Sequence, residues 1–188
     1  MKASKPLMAL VIGACASAAF AADTYTIEPK HTFPSFETDH MGISVWRGKF
    51  TKTSGTVVLD RAARTGSVDI AIDPASIQFG LVALDDHVKG ADMLDVTKYP
   101  SATYKGPVVF KGEVPAEING ELTLHGVTKP VKLAINSFKC IQHPMLKREV
   151  CGADASGSFN RGDFGVSYGL PKFQPEVRLQ IQVEAIKQ

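Results

Sequence analysis

The segment Glu176-Val177-Arg178-Leu179-Gln180-Ile181-Gln182-Val183-Glu184-Ala185 alternates polar and apolar side chains without interruption. Successive side chains of a strand point to opposite faces, so this pattern gives one oily face and one wet face. A helix of the same sequence would scatter its apolar residues around the whole cylinder. The segment therefore reads as a half-buried β-strand.

The same period of two recurs upstream. Val131, Leu133 and Ile135 alternate with Lys132, Ala134 and Asn136. Ile118, Leu122 and Leu124 alternate with Asn119, Glu121 and Thr123, and Val68, Ile70 and Ile72 with Ser67, Asp69 and Asp73. Turn-forming stretches separate the runs: Asp60 to Gly66, Gly112 to Pro115, and His125-Gly126-Val127-Thr128-Lys129-Pro130. The pattern predicts eight strands, near 31–39, 46–60, 66–73, 101–111, 116–125, 129–140, 150–161 and 175–187. Short, evenly spaced strands with tight connections point to an all-β, antiparallel barrel or sandwich.

One stretch departs from this period. Between Leu81 and Leu94 the apolar residues Leu84, Val88 and Ala91 fall at i, i+4 and i+7, with Asp85 and Asp86 near the start. That spacing predicts one short helix between the third and fourth strands, covering one end of the barrel.

The first 21 residues read as a secretory signal peptide, leaving 22–188 as one domain. Lys2 and Lys5 precede the apolar run Leu7 to Ala14, and Ala19-Phe20-Ala21 offers an A-x-A cleavage site. The run falls short of the ~20 apolar residues a membrane-spanning helix needs. Ile12-Gly13-Ala14-Cys15 also resembles a lipoprotein cleavage box, which would leave a lipid-anchored Cys15 as the first residue. The normal distance of the A-x-A site favours simple cleavage and export to the periplasm. Without the two leader lysines, the 21 basic residues fall to 19, equal to the 19 acidic ones. The mature chain is near neutral, which gives nucleic acid no clustered basic face to bind.

Two cysteines remain, Cys140 and Cys151. An even count in an oxidising compartment favours a disulfide. The alternative is a metal site that adds His143 of Cys140-x-x-His143, but structural zinc normally has four ligands, so no metal is expected. The five histidines are scattered. There is no G-x-S-x-G elbow or phosphate-cradling glycine loop, so neither a catalytic residue nor a cofactor is expected.

Several segments, in order, resemble the YceI-like family of lipocalin-like polyisoprenoid-binding proteins. They are His40-Met41-Gly42, Trp46-Arg47-Gly48-Lys49-Phe50, His87-Val88-Lys89 and Met93-Leu94-Asp95-Val96-Thr97-Lys98-Tyr99-Pro100. Gly120 to Val131 and Arg161-Gly162-Asp163-Phe164-Gly165 complete the set. The resemblance implies an eight-stranded lipocalin-like barrel in the periplasm, with an isoprenoid, isoprenoid quinone or fatty-acyl chain threaded inside.

Phe36, Trp46, Phe50, Leu84, Val88, Tyr104, Phe110 and Phe164 are the expected cavity-lining residues. Arg47 is the candidate for meeting a polar head group, against the plainer reading of an exposed strand residue. Arg161 and Asp163, two apart on a strand, would form a salt bridge fixing the Phe164-Gly165 bend. Asp39 and His40, adjacent on a strand, should point to opposite faces. A barrel of this size either fills with side chains or holds one small ligand. A binding protein is therefore weighed against a packed barrel acting by its surface and against an enzyme with a buried apolar substrate. Transient contact with a membrane or a membrane redox protein fits the first two, and a monomer and a dimer both remain open.

Overall fold

The computed structural model describes residues 22–188. The expected signal peptide, with Lys2, Lys5 and Cys15, lies outside the described residues. Eleven strand segments follow in order: β1 (Asp23–Ile27), β2 (Phe33–His40), β3 (Ser44–Phe50), β4 (Thr53–Asp60), β5 (Thr65–Ile72), β6 (Ile77–Gln78), β7 (Ala102–Lys111), β8 (Val114–Leu124), β9 (Val127–Gln142), β10 (Glu149–Asn160) and β11 (Glu176–Lys187). The helix α1 (Val82–Lys89) lies between β6 and β7.

Eight of these segments form a closed antiparallel ring, β1-β4-β5-β7-β8-β9-β10-β11, sealed where Tyr25–Ile27 pair with Ala185–Lys187. The other three lengthen it. β2 continues along β11 where β1 leaves off, pairing Phe33 with Gln182 through Thr38 with Val177. β3 then pairs with β2, and β6 with β3. The structure is thus an eight-stranded barrel in which three long strands are interrupted.

The interruptions correct the expected strand 46–60. The chain breaks between β3 and β4, where Ser76 takes over the ladder: its hydroxyl accepts from the amides of Thr51 (3.1 Å) and Lys52 (3.0 Å). β1 was not anticipated at all. The helix is also shorter than the Leu81–Leu94 periodicity suggested. It stops at Gly90, whose amide bonds the His87 carbonyl, and the chain turns on through Asp95 at φ 42°.

The alternation read from sequence points the expected way. Val68, Ile70 and Ile72 of β5, Val131, Leu133 and Ile135 of β9, and the apolar set of β11 all face the barrel interior. A bulge opposite Asp154 and Ala155 shifts β9 by one residue. That shift turns Phe138 and Cys140 inward beyond it, opposite Ala153 and Cys151.

Cys140 and Cys151 are bonded, sulfur to sulfur, at 2.03 Å across β9 and β10. The bridge closes a short loop, its ends 11 positions apart in sequence. In the chain-entropy model it stabilises by about 3 kcal/mol. Thermal melts with and without a reductant should therefore differ by roughly 5–10 °C. A Cys140→Ala/Cys151→Ala variant should melt at the reduced temperature whether or not reductant is present.

Candidate functional site: a two-chambered apolar interior

The barrel interior is not filled. A lower chamber of about 200 Å³ runs along the ring. Its walls are the inward faces of the ring strands, including Leu59, Val108, Leu133, Ala155 and Leu179. No Asp, Glu, His, Lys or Arg borders it among the described residues. An upper chamber of about 230 Å³ lies under α1, within β2, β3 and the 161–175 segment. Leu124, Phe159 and Val177 border both chambers, so the two meet end to end.

The lower end has a polar floor. Tyr25, 1% exposed, donates from Oη to Glu149 at 2.6 Å. Arg61, from the β4–β5 turn, reaches across to donate to Tyr25 Oη (2.7 Å) and Glu149 (2.9 Å). Its Nη2 also lies 3.1 Å from the Cys140 sulfur. Partial burial pushes Glu149 up, but hydrogen bonds from Tyr25 and Arg61 outweigh it and hold the carboxyl below its usual value. Cys140, Glu149 and Cys151 also bring potential metal-ligand atoms within 4.8 Å of one another. Joined to each other, however, the sulfurs are not thiolates and offer a metal little. His143 stands apart, its Nδ1 accepting the Leu146 amide at 3.2 Å.

Tyr104 braces the wall. Its hydroxyl donates to the Val131 carbonyl at 2.8 Å, and its ring lies over Gly120. A Cβ at Gly120 would come within 2.3 Å of that ring, so only glycine leaves room. Burial pushes the phenol up to about 12.

The upper chamber is aromatic. Phe50, Phe36, Phe79, Trp46, His40 and Phe173 form a continuous series, with neighbouring centroids 5.1 to 6.1 Å apart. Three exposed residues border it: Gln174, His87 of α1 and Tyr168, the last two with rings 4.9 Å apart. The chamber therefore reaches solvent between α1 and the 161–175 segment.

The structure sorts the residues singled out by sequence. Phe50 and Tyr104 border the lower chamber, and Phe36, Trp46, Leu84 and Val88 the upper one. Phe110 and Phe164 border neither. Phe110 follows the bulge at Val109 and packs on the core cluster. Phe164, 1% exposed, stands edge-on behind Phe159 at 5.2 Å and supports it.

Arg47 is a correction. It projects into solvent, 69% exposed, and pairs with Glu37 at 2.7 Å, because its neighbours Trp46 and Gly48 do not share its outward face. The expected Arg161–Asp163 salt bridge is absent among the described residues. Residues 161–164 form a 3-10 turn in place of a strand, which breaks the same-face spacing. Arg161 instead donates to the carbonyls of Val166 and Tyr168, both at 2.9 Å. Asp39 and His40 both border the upper chamber, yet no hydrogen bond joins them. Asp39 accepts the Gly42 amide at 2.8 Å, while His40 packs between Trp46 and Phe173. Sequence reasoning missed Tyr25, Phe79, Phe159 and Arg161. For Phe159 the signal was present: it closes the alternation of β10, opposite Val177.

A family model described as the YceI-like domain matches residues 25–185. The chain belongs to the YceI-like family. Among YceI-like relatives, Protein YceI of Shigella flexneri is 35% identical over 176 residues, spanning 92% of this chain and 91% of the relative. A UPF0312 protein of Vibrio cholerae is 32% identical over 97% of this chain and 98% of its own length. Solved structures share the fold. The Campylobacter jejuni YCEI protein has a TM-score of 0.65 at 24% identity, over 80% of this chain and 90% of that one. A polyisoprenoid binding domain from Saccharophagus degradans has a TM-score of 0.62 at 14% identity, over 87% of this chain and 98% of that one. The YceI-like barrel here is thus a shared scaffold around an apolar interior.

The floor makes an acid-sensitive contact. Glu149 sits below its unfolded value of about 4.3, so its partners stabilise the fold above that pH. The support is lost as pH falls through the lowered folded value. Glu149→Gln should cost about 1–2 kcal/mol at pH 7, discounted for the exposure of Arg61. The gap between the thermal melts of variant and parent should shrink as the pH is lowered through the folded carboxyl's titration.

Proposed function

We propose that this protein is a periplasmic carrier holding one long apolar chain, a polyisoprenoid, isoprenoid quinone or fatty-acyl lipid, inside the barrel. The observation that carries this reading is the pair of adjoining chambers, apolar along the lower one and bordered by solvent-exposed residues at the upper one. A twelve-residue strand such as β11 runs ~40 Å, or ~30 Å along the axis at a usual barrel tilt. That length suits an extended tail.

The energetics agree. Each buried CH₂ contributes about 0.8 kcal/mol, so one five-carbon isoprene unit gives roughly 4 kcal/mol. Three such units reach roughly nanomolar binding before ordering costs. No polar clamp is required along the tail, and the lower chamber supplies none. A solved neighbour is itself a polyisoprenoid binding domain, which supports the choice of ligand class. The leader read at 1–21 supports export. Around the upper end, Ile43 and Val82 are 80% and 74% exposed, Met41 and Leu81 lie next to them in the chain, and the exposed Tyr168 meets His87 of α1. An apolar rim of this kind suits brief contact with a membrane during loading and release. No Asp, Glu, His, Lys or Arg borders the lower chamber among the described residues, so a catalytic reading would have to place its chemistry in the upper one, beside Asp39, His40 and His87.

Native mass spectrometry of protein purified from the bacterial periplasm should show a co-purifying apolar molecule, or uptake of added isoprenoid. Absence of both would overturn the carrier reading. Ala155, 5% exposed on the chamber wall, offers a second check. Ala155→Trp should fill the lower chamber and weaken isoprenoid binding at least about tenfold, with unfolding temperature retained.

A further inference from the structure

Arg161 carries a charge that the fold does not neutralise. The side chain is 9% exposed and borders the upper chamber. No carboxylate lies within ion-pair distance among the described residues. A buried guanidinium without a counter-charge is costly, and proteins retain one where something else meets it. One nitrogen, Nη1, is committed to the carbonyls of Val166 and Tyr168. Nε and Nη2 have no protein acceptor among the described residues. Neither is sealed from open space, since Thr53 Oγ1 is the only fully buried side-chain polar atom without a partner among the described residues. These two donors therefore keep access to open space beside the chamber.

The charged and polar groups around Arg161 leave this role open. Asp39, the one acid bordering the chamber, already accepts the Gly42 amide. His40 is stacked between two rings, and His87 packs on Tyr168. Burial works against the charged form of Arg161, which an anion beside it would favour. A guanidinium presents donors in a planar fork that matches a carboxylate or a phosphate.

We infer that Arg161 is the head-group contact of the barrel and selects ligands ending in an anionic oxygen cluster, a carboxylate or a phosphate. The inference rests on the carrier reading and adds a direction to it. The tail enters first and stops at the Tyr25–Arg61–Glu149 floor, and the anionic end stays under α1. Phe159 and Val177, which border both chambers, lie where tail and head would meet.

Two ligand pairs differ only at the head: palmitate with hexadecanol, and farnesyl phosphate with farnesol. The lone tryptophan, Trp46, borders the same chamber, so its emission should report binding directly. Wild-type protein should prefer the anion at least about tenfold in one pair or both, and the pair showing it separates a carboxylate from a phosphate source. Arg161→Met should bring that ratio close to one while leaving the alcohol's affinity within about threefold. Arg161→Lys should keep part of the preference, and circular dichroism will show that each variant is folded. If Arg161→Met does not fold, the Lys variant decides, because a role confined to the 161–168 turn would leave its ratio unchanged. Alcohols that bind with no anion preference, or a ratio unmoved by either variant, would overturn this inference alone. Failure of all four ligands to bind would overturn the carrier reading as well.

Discussion

The three-residue pairing of Tyr25–Ile27 with Ala185–Lys187 is the constraint on which the rest depends. It joins the two ends of the described chain and turns an open sheet into a ring. Once closed, every ring strand has a partner on both sides, and no edge needs covering. The inward side chains no longer have to pack against a second layer. Here they are mostly Val, Leu, Ile and Ala, too short to meet at the axis, and the space they leave is the lower chamber. Cavity and core are therefore lined by the same residues.

The two ends of the barrel differ because their connections differ. At the floor, tight turns bring Arg61 and Glu149 within reach of Tyr25, and a cross-strand disulfide lies beside them. Charge-assisted hydrogen bonding outweighs the desolvation of Glu149 and holds this cluster together. At the other end the connections are long. The helix and the 161–175 segment lie over the opening without joining the sheet. Their contacts are aromatic, such as His87 with Tyr168, and these ring contacts carry no charge-assisted hydrogen bonds. A chain with one apolar and one polar end matches this polarity of structure.

Much of the fold was legible in single strands. The alternations at Val68–Ile72, Ile118–Leu124, Val131–Ile135 and Val177–Ala185 each assigned the correct face, because a strand's two-residue period does not depend on its partners. β1 also had a readable alternation, with Tyr25 and Ile27 inward between Thr24 and Thr26, but five residues give a weak signal. The break between β3 and β4 had no local mark. It exists because Ser76, distant in sequence, supplies the acceptor that the ladder lost. Arg47 faces solvent and Arg161 borders the upper chamber for a similar reason. Local pattern shows that a residue lies on a strand or at a turn, not whether the space beside it is solvent or cavity.

By itself, the sequence determined the all-β class, the eight-strand count, one short helix within 81–94, the residues available to a disulfide, and the YceI-like resemblance. These follow from periodicity, turn chemistry and short motifs, all local properties. Only the tertiary structure decided that the interior stays open, that a polar floor closes one end, and that Arg161 lies beside the upper chamber. Those outcomes depend on ring closure and on which distant side chains the closed ring brings together, and no stretch of neighbouring residues encodes such distances.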